Sequence, residues 1–305
     1  MMQQRSWIVV GLALTIAALL FITWRSAITT NLMHVVVSRA IFRLPPQTIM
    51  TDLPFYRWFF PQSTTDYMWE AEAYGAYRAW DKAQEAYQNY QALGGDPKPA
   101  LRRLVQIASL RSWCPTQSQI LLTLATTLTS EADAYQVLGD ACLSSSQPDA
   151  ALDAYRQSFE IFPDRLIAGK LAGVLFQRAE AANVAAANAR LANFSEVVQV
   201  LKAVTLQPDD SRNHYLLAWS YWQLNQFDEA IVTYEKCLVT PRKGDRYAFA
   251  CALNLGYAYS AWLPASRWDL KKADLYYRHA EVLAFDDDSR LEVQNALQRL
   301  AGLEQ

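Results

Sequence analysis

The sequence is poor in glycine, with ten in 305 residues, and it contains no Asn-Gly or Asp-Gly pair of the kind that closes a β-hairpin. Its glycine turns, Gly94-Gly95-Asp96 and Lys243-Gly244-Asp245, fall between stretches of helical periodicity instead. Apolar residues make up 52% of the chain, and alanine, leucine, tyrosine and tryptophan are abundant among them. The chain is therefore predicted to be all-α.

The sequence also lacks an excess of either charge and any familiar catalytic motif. Its net charge is −2, so no broad basic face is expected and nucleic acid is not an expected partner. The three histidines are far apart, and no His-Glu-x-x-His, Cys-x-x-Cys, phosphate-binding loop or nucleophile elbow is present. We therefore expect no catalytic residue, no metal and no cofactor, and we predict that the protein is not an enzyme.

One stretch near the N-terminus, WIVVGLALTIAALLFITW, contains no charged residue from Trp7 to Trp24. As an α-helix it would be about 27 Å long, which matches the hydrocarbon thickness of a bilayer. Tryptophans end it on both sides and Arg25 follows directly, as at a membrane interface. The alternatives are a buried soluble helix and a cleaved signal peptide, but no small-x-small cleavage pattern follows. Residues 1–25 are predicted to be a single transmembrane anchor.

Residues 26–61 form a second membrane-proximal segment in the sequence. An apolar stretch with two arginines ends at Pro45-Pro46, and LPFYRWFFP follows. This motif has five aromatic residues in six positions: Phe55, Tyr56, Trp58, Phe59 and Phe60. Two interpretations stay open, namely a tail that packs on the folded domain and a segment that lies at the lipid headgroups or docks on a membrane partner.

A helical pattern recurs along the rest of the chain, and Tyr135–Pro163 shows it most clearly. One helix carries Tyr135, Leu138, Gly139 and Cys142 on one face, and the next carries Ala151, Tyr155 and Ser158 before Pro163. Large residues fill the space between two helices where small residues let them approach. This segment resembles the tetratricopeptide repeat, a helix-turn-helix unit of about 34 residues.

Four further segments share the pattern: residues 67–90, 168–208, 214–241 and 252–280. The second is split by the Ala-rich stretch Ala179–Ala192, which we expect to extend the helices, and the last has a five-residue insertion in its turn. Residues 98–129 fit another helix pair without the signature. The resemblance implies a repeat domain, an α-solenoid, over residues 62–285, with a C-terminal capping helix in residues 286–305.

The four cysteines fall where neighbouring helices could be bridged. Cys237 and Cys251 flank a turn centred near Gly244, and Cys114 and Cys142 are expected at similar heights on neighbouring helices. Two disulfides would indicate an oxidising compartment, whereas four buried free thiols are the alternative.

The side of the membrane on which the repeat domain lies stays open in the sequence. Positive-inside counting of Arg25, Arg39 and Arg43 against Arg5 and the α-amine favours the cytoplasm by one charge. The cysteine pairs favour the opposite side. We expect a single-pass membrane protein with its repeat domain on the extracytoplasmic side.

The resemblance also implies a groove lined by the first helix of each repeat. The corresponding positions here are Asp133, Gln136, Asp140, Arg212, Tyr215, Trp219, Trp222, Leu253 and Tyr257. The aromatic residues beside Arg212 have the composition of an interaction hot spot, although packing between repeats would also explain some of them. The clamp with which some members hold a chaperone's terminal carboxylate is matched here only by Arg212 and Asn254, so that ligand is not expected.

The function predicted from these features is that of a membrane-anchored scaffold for protein–protein interaction. An accessory or assembly subunit of a membrane complex would combine the anchor with the groove. The alternatives are a repeat groove that recognises a glycan or cell-envelope polymer, and an enzyme without a recognisable motif.

Overall fold

A computed structural model describes residues 63–114, 117–182 and 186–303 of the chain, together with Trp24. The predicted anchor and juxtamembrane segment, with Trp7, Arg25, Phe55, Tyr56, Trp58, Phe59 and Phe60, lie outside the described residues. Trp24 itself is helical and 70% exposed. Among the residues that the model describes, no helix has both the length and the apolar character needed to cross a bilayer.

The chain divides into two compact units, residues 1–154 and 155–305, with the division inside one helix. The described part of the first unit contains α1 (Thr64–Ala76), α2 (Trp80–Ala92), α3 (Pro97–Leu110), α4 (Ser118–Leu128), α5 (Glu131–Ser144) and the first half of α6 (Pro148–Ile161). Helix α1 packs against α2 and α3, while α5 packs against α3 and α4. The first helices α1, α3 and α5 therefore form one layer, as in a helical-repeat fold.

The second unit contains the second half of α6 and then α7 (Arg165–Ala181), α8 (Ala187–Lys202), α9 (Ser211–Gln223), α10 (Phe227–Cys237), α11 (Arg246–Tyr257), α12 (Leu270–Leu283) and α13 (Asp287–Leu303). From α7 onward each helix packs against the next, and α9 also contacts both α7 and α11. Again the first helices of successive pairs form one layer. Each unit is thus a stack of helix pairs, which confirms the predicted all-α repeat fold.

Several of the helices begin where the sequence supplies a side-chain capping group. Ser63 and Asp66 form a capping box at α1, and Ser130 accepts a hydrogen bond from the Asp133 amide at α5. Asp96 caps α3, whose first residue is Pro97, a residue suited to that position because its missing N–H is not needed there. Asp245 accepts hydrogen bonds from two backbone amides at the start of α11.

The aromatic positions of the repeat pattern form the centre of the packing. Tyr87, Tyr155, Tyr234 and Tyr277 are among the largest fully buried side chains of the described residues. Tyr277 packs where Gly256 leaves room on α11, because a Cβ at that glycine would collide with the tyrosine ring. Large and small residues of the pattern therefore interlock, which is the physical reason that the pattern identified the helix pairs.

The two departures from the repeat length have defined structures. The Ala-rich stretch lengthens its helices, so that α7 has 17 residues and α8 has 16. The insertion after α11 forms a π-helical turn, Ala258–Trp262, and a 3₁₀ turn, Ala265–Arg267. The closing helix α13, Asp287–Leu303, lies in the segment 286–305 that was expected to hold the capping helix.

Candidate functional site

Each unit contains one disulfide, and the cysteines are paired as the sequence suggested. Cys114 is bonded to Cys142 and Cys237 to Cys251, with Cα–Cα distances of 5.0 and 6.4 Å. All four residues are buried. The second bridge joins α10 to α11, so it fixes one helix pair of the second unit against the next.

Arg212 lies on α9, but its guanidinium is engaged by the preceding first helix, α7. Its Nη1 donates a hydrogen bond to the Gly169 carbonyl oxygen at 3.0 Å. A Cβ at Gly173 would collide with the same guanidinium. Gly173 on α7 therefore leaves space for Arg212, which packs between first helices.

Three of the four predicted aromatic residues come together around Trp262 from the π-helical turn. The Trp262 ring centroid lies 6.0 Å from that of Trp219, 5.3 Å from that of Trp222 and 5.3 Å from that of Tyr257. We call these four residues the aromatic surface. Trp262 is 38% exposed and the other three are partly exposed, so the rings are accessible from solvent.

Tyr215, the fourth predicted aromatic residue, belongs to a different cluster. Its ring lies 6.1 Å from that of Phe176 and 5.8 Å from that of Tyr247. Burial raises the pKa of its phenol, with Glu180 and Tyr247 adding to the effect. Tyr215 therefore packs between repeats, which was the alternative interpretation for the groove positions.

Polar groups hold one edge of the aromatic surface. The Trp219 indole Nε1 donates a hydrogen bond to Glu180 Oε1 at 3.0 Å. Arg190 lies 3.7 Å from the same oxygen and also donates to Gln223. Glu180 lies on α7 and Arg190 on α8, the two helices that the Ala-rich stretch extends. The Ala-rich stretch therefore supplies the groups that orient Trp219.

The other edge of the aromatic surface opens into a cavity of about 660 Å³. Tyr257 and Trp262 line it together with Trp268, Tyr277 and Arg299. On its floor, the hydroxyls of Ser260 and Tyr277 are 2.9 Å apart and hydrogen-bonded. Burial, more than any nearby charge, raises the pKa of Tyr277 to about 12. The cavity therefore has aromatic walls, a neutral floor and one cationic side chain.

Sequence reasoning did not identify Trp262 or Arg299 as site residues. Trp262 lies in the insertion, outside the register of the repeat, and Arg299 lies on the closing helix. A signal was nevertheless present, because an insertion that contains two tryptophans, Trp262 and Trp268, is not explained by a turn alone.

In the first unit, the predicted groove residues Asp133, Gln136 and Asp140 line a cavity of about 560 Å³ between α3 and α5. Lys98, Leu101, Arg102 and Val105 of α3 face them. Asp133 also accepts hydrogen bonds from the hydroxyls of Thr129 at 3.0 Å and Ser130 at 2.7 Å. The structure thus brings the three predicted residues together, with acidic groups on one wall and basic groups on the other.

His214 occupies a packing position of the repeat. It is 6% exposed, and its Nε2 lies 3.1 Å from the Gln207 carbonyl oxygen. Burial lowers its pKa, against a smaller opposing effect of that hydrogen bond. Throughout the residues for which the structure gives positions, no three His, Cys, Asp or Glu side chains form a group that could hold a metal ion.

Comparison with known proteins supports the repeat assignment. The sequence model of the tetratricopeptide repeat matches residues 132–165 and 211–238. Both segments were predicted from the spacing of their small and aromatic residues, and that prediction is confirmed. No curated protein matches the chain.

The solved structures that match the chain share little sequence with it. One is a chain of the crystal structure of the APC/C hetero-tetramer Cut9-Hcn1, with 13% identity and a TM-score of 0.43 over 88% of this chain. The match spans 46% of that chain, less than half its length. The crystal structure of MamA protein gives 18% identity and a TM-score of 0.31, over 57% of this chain and 90% of that one.

Proposed function

We propose that this chain is a tetratricopeptide-type scaffold that binds a protein partner through its aromatic surface. The supporting observation is the exposed indole of Trp262, which contacts Trp219, Trp222 and Tyr257 and yet lies outside the repeat. Tryptophan and tyrosine are the residues enriched at interaction hot spots, because they bury a large area with few rotatable bonds. A repeat scaffold supplies the rigid support that such a surface needs.

The proposal includes a tether to the membrane and a place in a membrane complex. The uncharged stretch from Trp7 to Trp24 supports the tether, because it is long enough to span a bilayer. The two disulfides support a repeat domain on the extracytoplasmic side, since such bonds persist in oxidising compartments.

Site-specific crosslinking in native membranes tests partner binding. A photo-crosslinking amino acid replaces Trp262 in the full chain, and a matched variant carries it at Phe162, an aromatic residue that is 62% exposed and lies outside the aromatic surface. We expect a discrete crosslinked product from position 262 and none from position 162. Adding Trp219→Ala and Trp222→Ala to the first variant should remove the product while the circular dichroism stays helical.

Two results would contradict this proposal. A protein that gives no product at position 262 has no partner at the aromatic surface in that membrane. Equal products at positions 262 and 162 would mean that contact there is not selective.

Glycan recognition is the second candidate, and the stacking of Tyr257 on Trp262 favours it. Their ring centroids lie 5.3 Å apart at an interplanar angle of 24°, so Tyr257 stacks on the 38% exposed Trp262 indole and supports an aromatic ring of the kind on which sugar rings stack. Co-sedimentation of the detergent-solubilised full chain with purified cell-envelope polysaccharide tests this. Binding that Trp262→Ala abolishes, without any protein crosslink at position 262, would favour the glycan.

A further inference from the structure

The cavity beside the aromatic surface is built by two features that the repeat does not need. One wall is the inserted π-helical turn with Trp262, and the opposite wall is the closing helix α13 with Ala296, Arg299 and Leu300. Its volume of about 660 Å³ lies in the range of ligand sites, and it suits one or two side chains. The hydroxyls of Ser260 and Tyr277 on the cavity floor are hydrogen-bonded to each other, so they do not need a polar group of a ligand as partner. The cavity interior therefore favours an apolar occupant.

Arg299 is an oriented cation at the side of this cavity. Its Nε donates to the Asn295 carbonyl oxygen at 3.2 Å, and its Nη2 donates to the Tyr257 hydroxyl at 3.3 Å. The guanidinium carbon also lies 5.7 Å from the centroid of the Tyr257 ring. Within the described residues Arg299 has no acidic partner. A guanidinium has five N–H groups, so donors are left for a carboxylate.

We propose that this cavity recognises an internal acidic segment of the partner, in which an aromatic or aliphatic side chain enters the cavity and an adjacent Asp or Glu pairs with Arg299. This inference rests on the proposed function, because it names the chemistry of the segment that the aromatic surface holds. The charge of Arg299 is complementary to the acid, and the rings of Tyr257, Trp262 and Trp268 are complementary to the apolar side chain.

The donor count favours an acidic side chain over the terminal carboxylate of a chain. Capture of a chain terminus relies on a backbone nest or on several converging side-chain donors. Here one guanidinium with two of its donors occupied faces the cavity, and the Ser260 and Tyr277 hydroxyls are engaged with each other. A single, solvent-accessible charge pair matches an Asp or Glu within a segment.

Defined peptides test the inference with the detergent-solubilised full chain. One fluorescent peptide carries Phe-Glu in the middle of an acetylated and amidated Gly-Ser background, and its partner carries Phe-Gln. A third peptide has the same background and ends in phenylalanine with a free carboxylate. We expect the Phe-Glu peptide to bind about five- to tenfold more tightly than the other two, as one charge-assisted hydrogen-bonded pair predicts.

Variants of two arginines on α13 test whether Arg299 causes the preference for the Phe-Glu peptide. Arg299→Met should bring the Phe-Glu affinity down to that of Phe-Gln, while the Phe-Gln affinity changes less than about twofold, because methionine keeps the apolar part of the contact. Arg290→Met is the matched control, since Arg290 also lies on α13 but pairs with Asp287 in solvent. It should retain the full preference for glutamate.

The inference is overturned if the unaltered protein binds Phe-Glu and Phe-Gln equally, binds neither, prefers the free carboxylate, or keeps its preference in Arg299→Met. Its failure is distinguishable from failure of the proposed function. If crosslinking from position 262 still depends on Trp219 and Trp222, the partner surface stands and only the acidic-segment chemistry is wrong. If that crosslink is also absent, both are wrong.

Discussion

Reduction of the Cys237–Cys251 bridge is predicted to destabilise the second unit while leaving its fold intact in the absence of denaturant. The bridge joins α10 to α11, and both cysteines are at most 1% exposed. Helices α10 and α11 also pack through the fully buried side chains of Tyr234 and Ala252. We therefore expect the native contacts to persist without the bridge. The main change is that the unfolded chain gains freedom.

The expected magnitude follows from the length of the closed loop. The two cysteines are separated by 14 positions in sequence. Loop-closure entropy for a loop of about this size corresponds to about 3 kcal/mol of the free energy of unfolding. With a urea dependence of about 2 kcal/mol per molar for a unit of this size, the unfolding midpoint should fall by about 1–2 M.

The assay uses a variant in which Cys114 and Cys142 are alanine, so that only the second bridge is left. Urea unfolding of this full-length protein in detergent, followed by tryptophan fluorescence, is compared with and without dithiothreitol. Both samples contain the same atoms apart from the bond and two hydrogens. A Cys237→Ala, Cys251→Ala protein on the same background is the control, because reductant should not move its midpoint.

Three results would refute this reasoning. A midpoint that shifts by less than about 0.3 M would mean that the bridge does not restrict the unfolded chain as loop closure requires. Loss of helical circular dichroism on reduction without urea would mean that the packing cannot hold the unit together. Thiols that react with maleimide in the unreduced native protein would mean that the bond is absent.

Further predictions concern packing and pH. Gly256→Ala should lower the unfolding free energy by about 1–3 kcal/mol in the same urea assay, because its Cβ collides with Tyr277, whereas Gly302→Ala meets no atom and should be neutral or stabilising. Burial raises the pKa of Glu72 above 4.5, so stability should fall as pH rises from 4.5 through the raised value, and Glu72→Gln should flatten that slope. Burial lowers the pKa of His214, so stability should be lost as pH falls through 6.5, and His214→Gln should remove that loss.

Most of the helix pairs could be predicted because the repeat pattern consists of packing residues. Tyr155, Tyr234 and Tyr277 are conspicuous in the sequence and are also buried, and Tyr277 fills the space that Gly256 leaves. Helices α3 and α4 lack this signature and were still predicted, because their apolar residues recur with helical spacing.

The site could be predicted only in part, because side-chain direction depends on distant residues. Arg212 has the position of a groove residue, but Gly173 leaves a space on α7 into which its guanidinium turns, where it donates to the Gly169 carbonyl oxygen. Trp262 lies in a turn whose π-helical path is set by contacts with α11 and α12. No periodic pattern in the sequence predicts the direction of the side chain of such a residue.

The departures from the repeat, more than the repeat itself, carry the chemistry of the site. A residue in the repeat pattern is constrained by packing on both sides, and Tyr277 or Ala252 could not be changed to suit a partner without cost to the fold. Trp262 in the insertion and Arg299 on the closing helix meet no such constraint, since both are exposed. Two proteins with the same repeats could therefore differ in partner through these segments alone. The residues that identify the fold are for that reason a poor guide to the partner, and an exposed indole in an inserted turn is a better one.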